Sequence, residues 1–190
     1  MAYAPRTVRA VEHLRTVSHL PGDVIEIGVS AGDTTISMAQ YLKETGIDKK
    51  IYACDTYEGL PYDGKLGLDD MLKKGECAAS FEKFWGRVVQ YGLEDYIVPI
   101  PGLVEDTLMA RLKDRTWCFA FVDLDLYEPT SHVARYLHDR ITPNGIQGYH
   151  DYKFERCPGI EIVVDQEIDR NRYQMVGDNW GNCAWLKRVD

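Results

Sequence analysis

The sequence of 190 residues predicts an α/β protein: a three-layer, doubly wound sheet of seven strands, mostly parallel, with an antiparallel strand at the C-terminal end. Three observations predict it. Short apolar runs rich in β-formers recur along the chain, and a segment with apolar residues three and four apart follows each of the first five. The chain then ends in two strand-like runs around a turn-rich stretch.

The N-terminal "MAYAPRTVRAVEHLRTV" reads as an amphipathic helix that starts the domain. Strand-like runs follow at 23–28 (DVIEIG), 50–55 (KIYACD), 96–102 (YIVPIPG), 117–125 (WCFAFVDLD) and 145–151 (GIQGYHD). Helical spacing fills the gaps in TTISMAQYLKET, SFEKFWGRVVQYG, VEDTLMARLKD, TSHVARYLHDR and GIEIVVDQEIDRN. Crossovers of this kind return over a face of the sheet, so helices are expected on both faces of parallel strands. RYQMVGDNWGNCAWLKR is expected as an antiparallel pair closing one edge. One stretch breaks the alternation. PYDGKLGLDDMLKKGECAA, residues 61–79, reads as a lid insertion at the end of the sheet where ligands bind, and its Asp69 and Asp70, like Glu58, read as solvated charges.

Composition sets the surroundings. The length and a hydrophobic content of 45% suit one domain over residues 1–190. A net charge of −8 works against binding a polyanion, which needs Lys and Arg to displace counterions, so nucleic acid is not an expected partner. Five scattered cysteines without a C-x-x-C pair read as reduced, buried thiols. No signal-peptide core or membrane-length apolar run is visible, so a cytoplasmic protein without a membrane partner is expected, and a homodimer is compatible with all of this.

In open α/β sheets ligands collect beyond the C-terminal strand ends, where strand order reverses. The polar residues of this chain gather at those ends. EIGVSAGDTT places Glu26 at the first strand tip, then Gly28 and Gly32 around a tight turn into a helix whose free N–H groups suit a carboxylate. Ser30 stands where the second glycine of a dinucleotide-binding turn belongs. Asp55 and Thr56 follow the second strand, placed for ribose hydroxyls. Gly102, Glu105 and Asp106 follow the third, within reach of an adenine amino group. Each feature also has a plain structural reading as a turn glycine, a cap or a first-turn acid. Taken in order, they describe a nucleoside-shaped trough without a pyrophosphate cradle, which fits S-adenosylmethionine better than NAD.

FVDLDLYEPT and HDY set Asp123, His150 and Asp151 at the ends of the fourth and fifth strands. If those strands are neighbours, about 4.8 Å apart, the three side chains share one small volume. Crowded acceptors repel one another unless a cation joins them, so a divalent metal is expected there. Asp125 is expected to turn away as a supporting group or a helix cap.

These motifs resemble those of the macrocin O-methyltransferase family, and the resemblance runs from Gly22 over most of the chain. VIEIGVSAGDTT is similar to the family's first cofactor motif and YACDTYEGLP to its acidic second-strand motif. IPGLVEDTL is similar to the glycine turn after its third strand, and FVDLDLYEPT to its paired aspartates. TPNGIQGYHDY and CPGIEIVVDQ are similar to the Pro-Gly-Gly strand ending in Asp-Asp-Tyr and the helix start after it. The resemblance implies a class I methyltransferase fold, Rossmann-like, with S-adenosylmethionine as donor, Mg²⁺ as the usual metal, and a sugar or glycosylated natural product as the small-molecule hydroxyl acceptor. Asp123, His150 and Asp151 then match the metal ligands, with Asp123 and His150 as candidate catalytic groups. His150 stands where the family has an acid. It reads equally as a ligand that tilts preference toward Mn²⁺, as a base, or as a bystander. Only about twenty residues precede the first strand, where family members carry a longer segment that shapes the acceptor site. A catechol- or phenol-type methyltransferase and a non-catalytic S-adenosylmethionine-binding module are the alternatives; a nicotinamide dehydrogenase fits least.

Overall fold

Strand β4 (Trp117–Val122) is buried at every position, as its unbroken apolar run WCFAFV requires of a strand covered on both faces. The computed structural model, which describes residues 4–190, sets it beside β1 (Asp23–Ile27) near the middle of a seven-stranded sheet. The other strands are β2 (Ile51–Asp55), β3 (Ile97–Pro101), β5 (Ile141–Tyr149), β6 (Tyr173–Met175) and β7 (Ala184–Arg188), in the order β3-β2-β1-β4-β5-β7-β6. The chain winds outward from β1 to β3, then returns to the other side of β1 with β4. That reversal opens a crevice between the ends of β1 and β4. The first five strands pair in parallel, while β7 runs antiparallel to both β5 and β6.

Helices α1 (Pro5–Val17), α2 (Asp33–Thr45) and α3 (Phe81–Gln90) cover one face, burying Leu14, Met38, Leu42, Phe84 and Val88 against Val24, Phe119 and Phe121. Helices α4 (Val104–Leu112), α5 (Tyr127–Leu137) and α6 (Pro158–Ile162) cover the other, with Leu108, Val133 and Ile160 against Ile25, Ile27 and Ala120. The three layers predicted from the alternation are therefore present, and α1 starts the domain as expected; residues 1–3 of its predicted segment lie outside the described part.

Three boundaries differ from the sequence reading. Strand β5 starts four residues before the apolar run suggests: its TPN segment forms an irregular start, with Asn144 at φ 66° and a register shift against β4. The last helical segment is short, because α6 passes at Val163 into a π-helical turn, Val163–Glu167. The wider turn buries both Val163 and Val164, adjacent residues of one β-branched run. The insertion at 61–79 forms no helix or strand. It folds back on itself through Leu60 N–H to Glu76 O and Gly64 N–H to Leu72 O, at 2.9 and 3.0 Å.

The five cysteines are free, four of them buried, but Cys77 is exposed, against expectation. No described helix is long and apolar enough to cross a membrane.

Candidate active site

A cleft of about 280 Å³ opens at the C-terminal ends of β1, β2, β3, β4 and β5. It is built first by the glycine turn. Gly28 leaves β1 at φ 89°, and a Cβ there would lie 1.8 Å from the carbonyl oxygen of Asp123, so the two strand ends can touch only if residue 28 has no side chain. Gly28, Ser30 and Asp55 line the wall. Asp55 holds the turn in place: Oδ2 accepts the N–H groups of Val29 and Ser30 at 2.7 and 2.8 Å, and Oδ1 accepts that of Tyr57 at 2.6 Å. Of the roughly four acceptor sites a carboxylate offers, three are therefore used. Gly32, predicted as a binding glycine, instead caps α2 at φ 86° with its Cα against Phe84 and lies outside the wall.

Glu26 is buried at the base of the cleft and accepts the Thr35 hydroxyl. Burial pushes its carboxyl well above the usual range, with the nearby charge of Asp123 adding to the effect. Of the residues expected to bind the donor after the second and third strands, Thr56, Gly102 and Glu105 line the opposite wall; Asp106 does not. Gly59, Leu60, Pro61 and Cys77, the two ends of the inserted loop, complete that side.

The acids of β4 and β5 converge. Asp123 N–H bonds Ile27 O at 2.8 Å and His150 N–H bonds Val122 O at 2.9 Å, extending the parallel ladder by one rung past each strand. His150 Nδ1 then lies 2.8 Å from Asp123 Oδ1 and 3.1 Å from Asp151 Oδ2. Only the first is a hydrogen bond; Asp151 Oδ2 is buried with no hydrogen-bond donor. Burial alone would lower the pKa of His150, but the bond and charge of Asp123, followed by the neighbouring Asp151 carboxylate, carry it up to about 10. In the absence of an ion, a proton on His150 supplies the positive charge these carboxylates need.

Of the two readings of Asp125, the helix cap is not met. The N-cap of α5 is Leu126, without a side-chain bond; Asp125 adopts φ 61° and lines the cleft. Burial, then the charges of Asp123 and Asp151, raise its carboxyl to about 8. One oxygen or nitrogen each from Asp123, His150 and Asp151 lie within 4.8 Å of one another, and a second set, Asp125, Asp151 and Cys157, shares Asp151.

The α5 terminus is capped from a distance. Asp69 is buried, not solvated, and accepts Tyr127 N–H at 2.6 Å and the N–H of Lys65. It pins the insertion to α5, while Gly159 N–H to Leu68 O, 2.8 Å, pins it to α6. The sequence reading also missed Arg6, which lines the cleft from α1 with Nε 3.4 Å from Asp123 Oδ2. No local pattern ties residue 6 to residue 123; the contact exists because α1 packs across the start of α2.

A family model described as macrocin O-methyltransferase matches residues 6–171, which takes in every strand end of the cleft. The chain belongs to the macrocin O-methyltransferase family. Among similar proteins, a tetracenomycin-type rhamnosyl 4'-O-methyltransferase of Streptomyces olivaceus is 30% identical over 146 residues, 73% of this chain and 56% of that protein. Demethyldecarbamoylnovobiocin O-methyltransferase of Streptomyces niveus is 29% identical over 157 residues, 78% of this chain and 59% of that protein. The chain spans less than two thirds of the length of these curated relatives. Among solved structures, the O-methyltransferase NovP superposes with a TM-score of 0.81 at 25% identity, covering 97% of this chain and 78% of that one. The class I methyltransferase fold implied by the family motifs is thus the observed fold.

Proposed function

We propose that this macrocin-family chain transfers a methyl group from S-adenosylmethionine to a hydroxyl oxygen on the sugar of a glycosylated natural product. The family match and the names of the relatives support the reaction and the acceptor class. The single observation that carries it is the cleft. Gly28 lets the ends of β1 and β4 close against each other along one wall of that space, and acids at three further strand ends face it. The fit to the donor is chemical as well as spatial: a sulfonium nucleoside is cationic, and the wall carries Glu105, Asp55 and Asp123.

A divalent metal fits beside it. Asp151 Oδ2 is a buried acceptor without a donor, and such an atom is costly unless something occupies it. Asp123, His150 and Asp151 would hold the ion, and the one-nitrogen, two-oxygen donor set favours Mn²⁺ or another transition metal over Mg²⁺. When bound, such an ion would position the acceptor hydroxyl and lower its pKa.

The chain's own groups do the rest. Asp123 has both oxygens engaged, one by His150 and one facing Arg6. Asp125 faces the cleft beside Asp123, and once its carboxyl, raised to about 8, has lost its proton it takes the hydroxyl proton as the carbon–sulfur bond breaks and the carbon–oxygen bond forms. The insertion at 61–79, whose two ends form one wall, excludes water from the transfer.

The test is incubation with labelled donor and two acceptor panels, glycosides and phenols, with and without Mn²⁺. Glycoside-dependent product is expected, and Asp123→Ala should abolish it while S-adenosylhomocysteine still binds. Full turnover by the Asp123→Ala protein, or product only with phenols, would overturn the assignment.

A further inference from the structure

The amino-acid tail of the donor poses a problem that the cleft solves in one place. At neutral pH that tail carries an ammonium and a carboxylate beside the sulfonium. Beside Glu26 and Asp125, whose carboxyls burial pushes up, the wall presents four more acids, Asp33, Asp55, Glu105 and Asp123, which suit the two cationic groups. They repel the third. The α-carboxylate therefore needs either free backbone N–H groups or a basic side chain.

The free N–H groups of the turn, those of Ala31, Asp33 and Thr34, are neutral and stand beside the carboxyl of Asp33, so they supply no net positive charge. Gly28 N–H bonds Cys54 O and Gly32 N–H bonds Val29 O, each at 2.9 Å, while Val29 and Ser30 are committed to Asp55. The positive end of α2 carries its own acid, Asp33, paired with Arg87 at 2.7 Å. Arg87 also donates to Ala31 O at 2.6 Å and lies outside the cleft wall. Arg6 is the sole Lys or Arg that lines the cleft among the described residues.

We infer that Arg6 anchors the α-carboxylate of the donor's methionine tail, an assignment that rests on S-adenosylmethionine being the molecule this cleft holds. A guanidinium has five N–H donors in a planar fork that matches a carboxylate. Only Nε of Arg6 is near a partner, 3.4 Å from Asp123 Oδ2, and its two terminal nitrogens have no partner among the described residues. The side chain is 38% exposed at the mouth of the cleft, so the fork is accessible to a ligand. Its base is held in place. Pro5 starts α1 at a position where proline preorganises a helix. The hydroxyls of Thr7 and Thr34 meet at 3.0 Å, tying the start of α1 to the start of α2, and Arg9 bonds Asp178 at 2.9 Å one turn on. Arg6 is thus a donor-positioning residue, contributed by an element outside the strand-end motifs.

Calorimetric titration with two ligands tests this: S-adenosylhomocysteine and its decarboxylated analogue, which lacks the α-carboxylate alone. The wild-type chain should prefer S-adenosylhomocysteine by about ten- to hundredfold, the usual worth of a charge-assisted bond. Arg6→Gln should remove that preference while binding the analogue as the wild type does. A wild type that binds both ligands equally, or an Arg6→Gln protein that keeps the full preference, overturns the inference. Weakening of both ligands to the same extent by Arg6→Gln also overturns it, since the residue would then shape the cleft and not bind the carboxylate. A wild type that binds neither ligand defeats the proposed function itself, a separate result.

Discussion

The backbone of Gly28 and the carbonyl of Asp123 are in such close contact that a Cβ on residue 28 would sit 1.8 Å from the Asp123 oxygen. The contact lies at the switch point between β1 and β4 and joins the glycine turn to the acid cluster. Gly28→Ala would have to part the two strand ends and adopt φ 89°, a region that L side chains rarely enter. The expected loss is about 3 kcal/mol or more, which for a chain of this size lowers the melting temperature by roughly 6–12 °C. Thermal denaturation monitored by circular dichroism measures it, and a melting temperature equal to wild type would show that the turn has slack.

Asp69 makes a second, separable prediction. It supplies the missing cap of α5 from 58 residues away, with Tyr127 N–H at 2.6 Å. Asp69→Ala leaves that N–H and the N–H of Lys65 unsatisfied and frees the insertion from α5. A cost of about 1–3 kcal/mol is expected. Proteolysis confined to residues 61–79 should also speed up while the rest of the domain resists. If cleavage spreads evenly over the domain, Asp69 supports the fold as a whole instead of docking this loop.

The contrast between these two residues shows what was legible in the sequence. Gly28, Asp55, Asp123 and His150 each follow a recognisable strand, and a parallel sheet must bring its strand ends to one edge, so order along the chain was enough to place them. Asp69 and Arg6 act through tertiary packing. Asp69 lies in a loop with no periodicity, where its charge looked solvated, and its partner is 58 positions away. Arg6 reaches Asp123 because α1 crosses α2, and helix–helix placement has no local sequence signature. Asp125 could be read as a supporting group or as a cap because an acid before a helix suits either; φ 61° turns its carboxyl into the cleft beside Asp123 and leaves the capping to Asp69.

His13 gives the fold an acid-side weakness. Its ring stacks on Trp185 at 4.3 Å, and Nε2 is buried without a partner. Burial, reinforced by the charge of Arg9, lowers its pKa from 6.5 to about 4. The folded state thus holds fewer protons than the unfolded chain between those values, so this contribution is complete above about pH 6.5 and is lost as pH falls toward 4. A fully buried ring would account for about 3.4 kcal/mol, and the partial exposure of this one reduces that to about 1–2 kcal/mol. His13→Phe keeps the stack and has no proton to gain. Urea denaturation at pH 7 and pH 5 should show a smaller drop in the variant than in the wild type, and equal drops would remove His13 from the account.

The metal prediction turns on Asp151. Its Oδ2 is buried, lacks a donor, and faces His150 Nδ1 at 3.1 Å in a cluster that also contains Asp123 and Asp125. Without an ion the single charge on His150 is shared between Asp123, which it hydrogen-bonds, and Asp151, which it does not, so replacing Asp151 by Asn removes a carboxylate that has no partner of its own. With an ion the same change removes a ligand. Asp151→Asn should therefore raise the melting temperature of the metal-free chain and weaken Mn²⁺ binding by more than about a hundredfold, since even the loss of an outer partner costs ten- to a hundredfold. His150→Asp sorts the remaining question of ion type. Exchanging the nitrogen donor for an oxygen should shift the ratio of Mg²⁺ to Mn²⁺ affinity toward Mg²⁺ if His150 is a ligand, and leave it unchanged if the imidazole only bridges carboxylates. Calorimetry on the two variants reads both effects, and Mn²⁺ affinity that survives Asp151→Asn would place the ion elsewhere or nowhere in this cluster.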